Sequence, residues 1–283
     1  MIADLIVGTG WPFGGRFLDP NETVQGITLD TKKLEGPGVF TAPVKELLRP
    51  PRTPYEVQDK PDPELLFLRL VPEDIERVES AIDLMPSVRS DGTVRFEIPA
   101  GEHTLYIGTW QRSFRAVMWG APGADGPVLD HYNKAPVQQY LDRMSTQLGP
   151  ALGGQLGEGL RAMFCDSIEL SGANWTGDLP AEFQKGRGYA LWPYLPFVLE
   201  KDDPKNESVL ADTVRRARYD FSKTLVELFG ERFLQPFHQW CHENGTLSRY
   251  QAYGHPWLMG MLDGYMVPDI PEGDTWLFSN WDP

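Results

Sequence analysis

Cysteine is nearly missing from these 283 residues: Cys165 and Cys241 are the whole complement. That excludes a disulfide framework. Cys165 lies in an apolar run and Cys241 on a helical pattern, so both are expected as buried free thiols. Positive charge is also scarce, with 26 Lys and Arg against 40 Asp and Glu and a formal net charge of −14. A nucleic-acid groove or a polybasic membrane surface would be repelled by this balance, so neither partner is expected. No apolar run approaches the roughly 20 residues of a membrane span. Residues 1–15 lack the basic segment, long apolar stretch and small-residue cleavage site of a signal peptide. A periplasmic or extracellular address would have to be written upstream of this chain. There is no G-x-S-x-G nucleophile elbow, no HExxH, and no glycine spacing of a dinucleotide or P-loop cradle, so acyl transfer and nucleotide chemistry lack support.

What is present is apolar residues at 41% and nine tryptophans. The apolar content suffices for a large core, and the aromatic rings suit both core packing and stacking on flat sugar faces. Residues 3–7 form a short apolar run that opens onto Gly8-Thr9-Gly10-Trp11-Pro12-Phe13-Gly14-Gly15, the pattern of a buried parallel strand leading into a site loop. From about residue 23 to 128 the character changes. Strand-like runs at 38–42, 65–71, 93–98, 103–109 and 116–119 are separated by Pro- and Gly-rich turns, without helical patterns between them, which predicts an antiparallel β-rich insertion. Residues 73–84 read as a short helix or a polar turn. After residue 129 helices and strands alternate: helix at 135–148, strand at 160–165, short helices at 180–186 and 192–199. A long helical pattern over 208–229 continues to Trp240 with a kink near Pro236, and a strand follows at 247–253. Helices alternating with single strands predict a parallel sheet. The fold class is therefore α/β, divided as 1–22 (strand and site loop), 23–128 (insertion) and 129–283 (remaining helix–strand units).

The stretch with the most chemistry in it runs from Phe164 through Cys165, Asp166, Ser167 and Ile168 to Glu169. An apolar strand ends there in two acids, and strand C-termini are where α/β barrels place catalysts. Glycoside hydrolysis needs one carboxyl to protonate the leaving oxygen and another to activate water or attack the sugar. Asp166 and Glu169 are too close in sequence to fill both roles, so a distant partner is expected. The plain alternative pairs them structurally with Arg161 or Arg249. A second acidic cluster, Asp269-Ile270-Pro271-Glu272-Gly273-Asp274, either brings Glu272 to the same rim or forms a solvated turn. His255 follows a strand and a glycine, as a substrate contact or as an ordinary turn residue. His238 and His242 stand four apart on a helix, the spacing of a shared metal, although Trp240 and Cys241 between them speak for ordinary helix packing.

Taken in order, several stretches resemble glycoside hydrolase family 106, the α-L-rhamnosidases. They are residues 8–15; Phe164–Glu169; Gly186-Arg187-Gly188-Tyr189 with Pro193-Tyr194-Leu195-Pro196; and Glu231-Arg232-Phe233 with Pro236-Phe237 and Trp240-Cys241. Ser248–Gly254 and Asp269–Glu272 complete the set. The resemblance covers residues 1–15 and about 129–275. It implies a TIM-type (β/α)8 catalytic domain that removes terminal α-L-rhamnosyl groups from a rhamnose-containing oligosaccharide or glycoside with inversion, aided by calcium. Asp166 and Glu169 match the family's Asp-x-x-Glu carboxylates, with Glu169 the better catalytic candidate. The expected sugar contacts are Trp11, Trp175, Gln251, His255 and Glu272, and Asp166 and Glu272 neighbour the implied calcium site. The barrel stretches fall well short of the ~250 residues of a complete barrel. The resemblance therefore implies a partial barrel whose partner carboxylate lies beyond Pro283. In two places the chain departs from the family pattern, with Tyr253 for His and Asp274 for Glu.

Overall fold

The computed structural model describes residues 2–8, 10–120, 122–200, 209–256 and 261–273. Its strands form two four-stranded sheets. In the first, β1 (Asp4–Ile6), β6 (Ala162–Cys165), β7 (Leu247–Gln251) and β8 (Ile270–Glu272) lie side by side in that order, all parallel. Parallel neighbours need a crossover, and the crossovers here carry the helices. Side chains alternate between the faces with period two. Met163, Cys165, Ser248 and Tyr250 are buried towards the helices, where Tyr250 meets Phe233 with ring centroids 6.1 Å apart. The opposite face carries Asp4, Phe164, Arg249 and Glu272. Arg249 lies over the Phe164 ring at 4.7 Å and ion-pairs with both Asp4 and Glu272. Arg161 also pairs with Asp4. Both arginines thus spend their charge on Asp4 and Glu272, which sets aside the alternative in which they hold Asp166 and Glu169. The expected α/β class holds as a mixture of one parallel and one antiparallel sheet. Four sequentially wound parallel strands are common to an open sheet and to an arc of a barrel, and no closed barrel is formed among the described residues.

The second sheet is antiparallel and has the order β2 (Gln25–Pro43), β5 (Thr93–Arg112), β3 (Glu64–Pro72), β4 (Ile82–Asp83). Two of its strands are longer than the sequence pattern suggests. The runs at 93–98 and 103–109 belong to one 20-residue strand. Pro99-Ala100-Gly101 reads as a break, yet the chain passes it opposite a register irregularity between Gly36 and Gly38, a place where a strand tolerates proline. Residues 94–98 alternate buried and exposed, whereas 103–109 are buried throughout. There one face of β5 packs on a small local core around Leu68, Leu70, Leu105 and Ile107, and the other meets the main core through Tyr106. The run 116–119 is not a strand but a pair of isolated bridges to Trp11 and Pro127. Residues 73–84 hold a single 3-10 turn, Val78–Ser80, and β4.

Seven helices complete the chain among the described residues: α1 (Val44–Leu47), α2 (Lys134–Leu148), α3 (Leu179–Arg187), α4 (Leu195–Leu199), α5 (Val209–Phe229), α6 (Gln235–Glu243) and α7 (Met261–Tyr265). α5 runs into α6 through a π-helical turn, Gly230–Leu234. Pro236 lacks the N–H that a continuous α-helix would use, and the wider turn just before it absorbs that loss. Where a kink is expected near Pro236, the chain passes from α5 to α6 through this turn. Both cysteines are free and buried, as anticipated.

Between the sheets sits a hub, Asp130. Its carboxylate accepts from the Tyr132 backbone N–H at 3.0 Å, from Thr176 Oγ1 at 2.7 Å and from Gln25 Nε2 at 3.4 Å. Burial pushes its pKa up to about 7 from an ordinary 3.8. Next to it, burial pushes His131 down to about 3 from 6.5; its ring is enclosed by Phe13, Phe229 and Phe233. The two act in opposite directions. The folded state holds a proton on Asp130 that the unfolded chain has released, so this term loses stability as pH rises from 3.8 to about 7. The unfolded chain holds a proton on His131 that the fold refuses, so that term gains stability as pH rises from about 3 to 6.5. Asp130→Asn removes the first term alone. Relative to wild type, the variant should gain on the order of 3 kcal/mol between pH 4 and 8, read by denaturant unfolding at each pH. A difference that stays flat with pH would contradict this account of Asp130.

Candidate functional site

The loops that leave the C-terminal ends of β1, β6 and β7 meet at one rim. After β1 the chain enters the glycine-rich loop, and Trp11 bonds through its backbone to Met118 in both directions, at 2.9 and 2.7 Å. Gly10 permits this approach: a Cβ there would stand 2.2 Å from Val117 Cγ1 and 3.0 Å from the Gly120 Cα. The glycines of this loop serve close packing between two parts of the chain. The result is a cleft of about 470 Å³ lined by Ile6, Val7, Trp11, Phe13, Trp119, Asp166 and Ile168, with Gly8, Gly10 and Gly120. Trp11 and Trp119 stack with centroids 5.6 Å apart. Trp119 is 81% exposed and its φ is +50°, a conformation a bulky residue adopts only when its surroundings impose it. An exposed indole held in a strained turn over a cleft is a ready stacking platform.

Asp166 is the first residue past β6 and the only charged residue among those lining the cleft. One of its oxygens, Oδ1, accepts the Ser167 backbone N–H at 2.8 Å. The Trp11 indole N–H donates to the Ser167 carbonyl, tying the two loops together. Glu169 is half-buried and is not part of the cleft lining. Its Oε1 accepts from Ser167 Oγ at 3.2 Å. Arg115 is 6% exposed, lies over the Trp11 ring at 5.5 Å and donates through Nη1 to the Glu169 carbonyl. Burial lowers the pKa of Arg115, and the Glu169 charge works against that shift. From the β7 side, Gly254 presses on the Glu169 side chain, and the Leu170 N–H donates to the His255 carbonyl at 3.1 Å.

The remaining expected contacts divide. Gln251 ends β7, half-buried and in register with Glu272 on β8. His255 stands on the loop beside Glu169. Burial lowers its pKa, and its Nδ1 is enclosed with no hydrogen-bond partner among the described residues. Glu272 is committed to Arg249, Nε to Oε1 at 2.7 Å. Trp175 is 5% exposed, meets Trp192 edge-on at 5.8 Å and bridges to Gln25 of β2. It therefore packs against β2 and Trp192 and is not among the residues lining the cleft, where Trp119 is. Asp274 lies outside the described residues. Calcium demands six to eight oxygens. Among the described residues, neither Asp166 nor Glu272 belongs to a group of three or more potential metal-ligating side chains, and Glu272 is already matched by a guanidinium. Among the described residues, these two side chains do not by themselves make up a calcium donor set.

Trp119 and Arg115 were not legible as site residues. Both lie in the 110–120 stretch that reads as the end of the β insertion, and only the Trp119-Gly120 step, a bulky residue before a glycine after an apolar run, hints at a special turn.

A cleft at the C-terminal rim of a parallel sheet, with an aromatic platform and a carboxylate, has the shape and chemistry to hold a sugar ring. The model of the glycoside hydrolase 106 family, alpha-L-rhamnosidase, matches residues 70–281, and the chain belongs to this family of glycosidases. It is 25% identical over 193 residues to a putative beta-glucuronidase of Formosa agariphila, covering 66% of this chain and 16% of that protein. Its fold is similar to that of a rhamnosidase from Novosphingobium sp. PP1Y, with a TM-score of 0.53 at 15% identity, over 87% of this chain and 39% of that one. The chain thus spans well under half the length of either relative.

Proposed function

We propose that this chain carries the sugar-binding and acid–base part of a glycoside hydrolase site that acts on terminal α-L-rhamnosyl groups with inversion. The observation that carries the reading is the cleft itself. Its one charged group is Asp166, and the rest of the lining is apolar or aromatic. A 6-deoxyhexose presents a methyl group and a C–H face to such walls, and carries no charge to be repelled by the carboxylate. Trp119, backed by Trp11, stacks on the ring with its exposed face, while Asp166 reaches the polar edge as an acid–base group. Glu169, fixed by Ser167, Arg115 and Gly254, supplies the other catalytic carboxyl of this acidic pair, on the side where Gln251 and His255 end. An inverting site needs its two carboxyls roughly 6.5–9.5 Å apart, with room for water. The partner to this acidic pair comes from across the cleft.

A second reading takes its support from the relative named for β-glucuronides. A uronate would bring a carboxylate beside Asp166, and no cation is among the residues lining the cleft. The first reading therefore stands ahead. A panel of aryl α-L-rhamnoside, β-D-glucuronide and β-D-glucoside decides between them, with proton NMR of the first-formed anomer. Rhamnoside cleavage releasing β-L-rhamnose is expected. Preference for the glucuronide, or retention of configuration, would replace this reading.

A further inference from the structure

At the opposite end of the parallel sheet, three potential ligands converge. α6 presents His238 and His242 one turn apart, with ring centroids separated by 4.2 Å. Trp240 and Cys241 between them are 2% and 0% exposed and face the core, so ordinary helix packing accounts for those two and leaves the histidine pair on the outer side. Asp269, just ahead of β8, reaches the same point. Its Oδ2 lies 2.8 Å from His242 Nε2 and 3.7 Å from His238 Nδ1. One potential ligand atom from each of the three residues lies within 4.8 Å of the others.

We propose that His238, His242 and Asp269 form a binding site for a divalent transition-metal ion of the zinc type, distinct from the Asp166 cleft and independent of the function proposed for it. Zinc takes imidazole nitrogen and carboxylate oxygen at about 2.0–2.2 Å, which sets neighbouring ligands about 3.3 Å apart in a tetrahedron. The observed 2.8 and 3.7 Å from Asp269 bracket that spacing. Two imidazoles and one carboxylate leave a fourth position for water, and the partial exposure of all three side chains gives the ion access. A built support lies behind them. Ser248, fully buried on β7, donates to Asp269 Oδ2 from its backbone N–H at 2.8 Å and approaches the same oxygen with Oγ at 2.9 Å. Its Oγ also stands 2.7 Å from His238 Nδ1, a bond that nitrogen gives up when it ligates the ion, while the Ser248 backbone N–H goes on holding Asp269, as outer partners do around metal sites. The ion would tie α6 to β7 and β8 at the strand N-termini, the end of a parallel sheet that serves stability.

The test is isothermal titration of the tag-free, chelator-treated protein with zinc chloride, with calcium chloride as control. One equivalent of zinc should bind at micromolar or lower concentration and raise the melting temperature, while calcium, which wants hard oxygen ligands, should do neither. His242→Gln and Asp269→Asn should each weaken zinc at least as much as the about 10–100-fold typical of lost outer partners, with far-UV circular dichroism confirming the fold. Cobalt in place of zinc should give the visible absorption of a tetrahedral centre. No saturation below ~100 µM, or binding that both variants leave unchanged, would overturn the site.

Discussion

Gly254→Ala is expected to lower kcat at least ~100-fold while moving KM little. Two effects act at once. Gly254 has φ +75°, where an L side chain costs about 1–2 kcal/mol. The added Cβ would also overlap Glu169 Cγ, closer than non-bonded carbon atoms approach. The loop cannot retreat freely, because the Leu170 N–H holds the His255 carbonyl one residue further on. Glu169 is the softer partner, so its carboxyl swings out of the geometry set by Ser167. The Trp11–Trp119 cleft lies on the other side of Asp166 and keeps its shape, which is why binding survives. Steady-state kinetics with thermal unfolding separates the outcomes. Equal kcat with only a lower melting temperature would mean that Glu169 packs the loop and takes no part in chemistry.

Much of this arrangement is legible in the sequence. The acids after residues 162–165 stand at a strand end because an apolar run followed by polar residues and Gly172 reads as a strand leaving the core. The helices at 134–148 and 209–229 were legible through their apolar spacing. Sequence reasoning failed where tertiary contact overrides a local signal. Pro99 and Gly101 look like a turn, but the β5 ladder carries the chain straight through them because β2 flanks it over its whole length. Trp175, an expected sugar contact, packs on the second sheet instead, together with Asn174, whose side chain clips the Ile27 backbone N–H and C=O at 2.7 and 3.0 Å. Trp119 was invisible for the converse reason. Its place over the cleft depends on a two-way backbone bridge between Trp11 and Met118, residues that no spacing rule connects. The arginines were misjudged because Asp4, a single acid at the start of the chain, gave no sequence sign that it collects both.

The two sheets therefore share the site. The parallel sheet supplies the carboxylates, and the segment leaving the antiparallel sheet supplies Trp119 and Arg115. This explains why a cleft forms at a rim where the described parallel strands number four.

Asp166→Asn tests the central claim most directly. The substitution keeps Oδ1, and with it the Ser167 N–H bond, and changes only the charge and proton affinity of the one ionisable group in the cleft. Stability should therefore be unaltered, and KM for an aryl rhamnoside nearly so. The account predicts a fall in kcat of about 10²–10⁴-fold, the range for loss of an acid–base group. A variant that turns over within about twofold of wild type would place the chemistry elsewhere and leave the cleft without its assigned role.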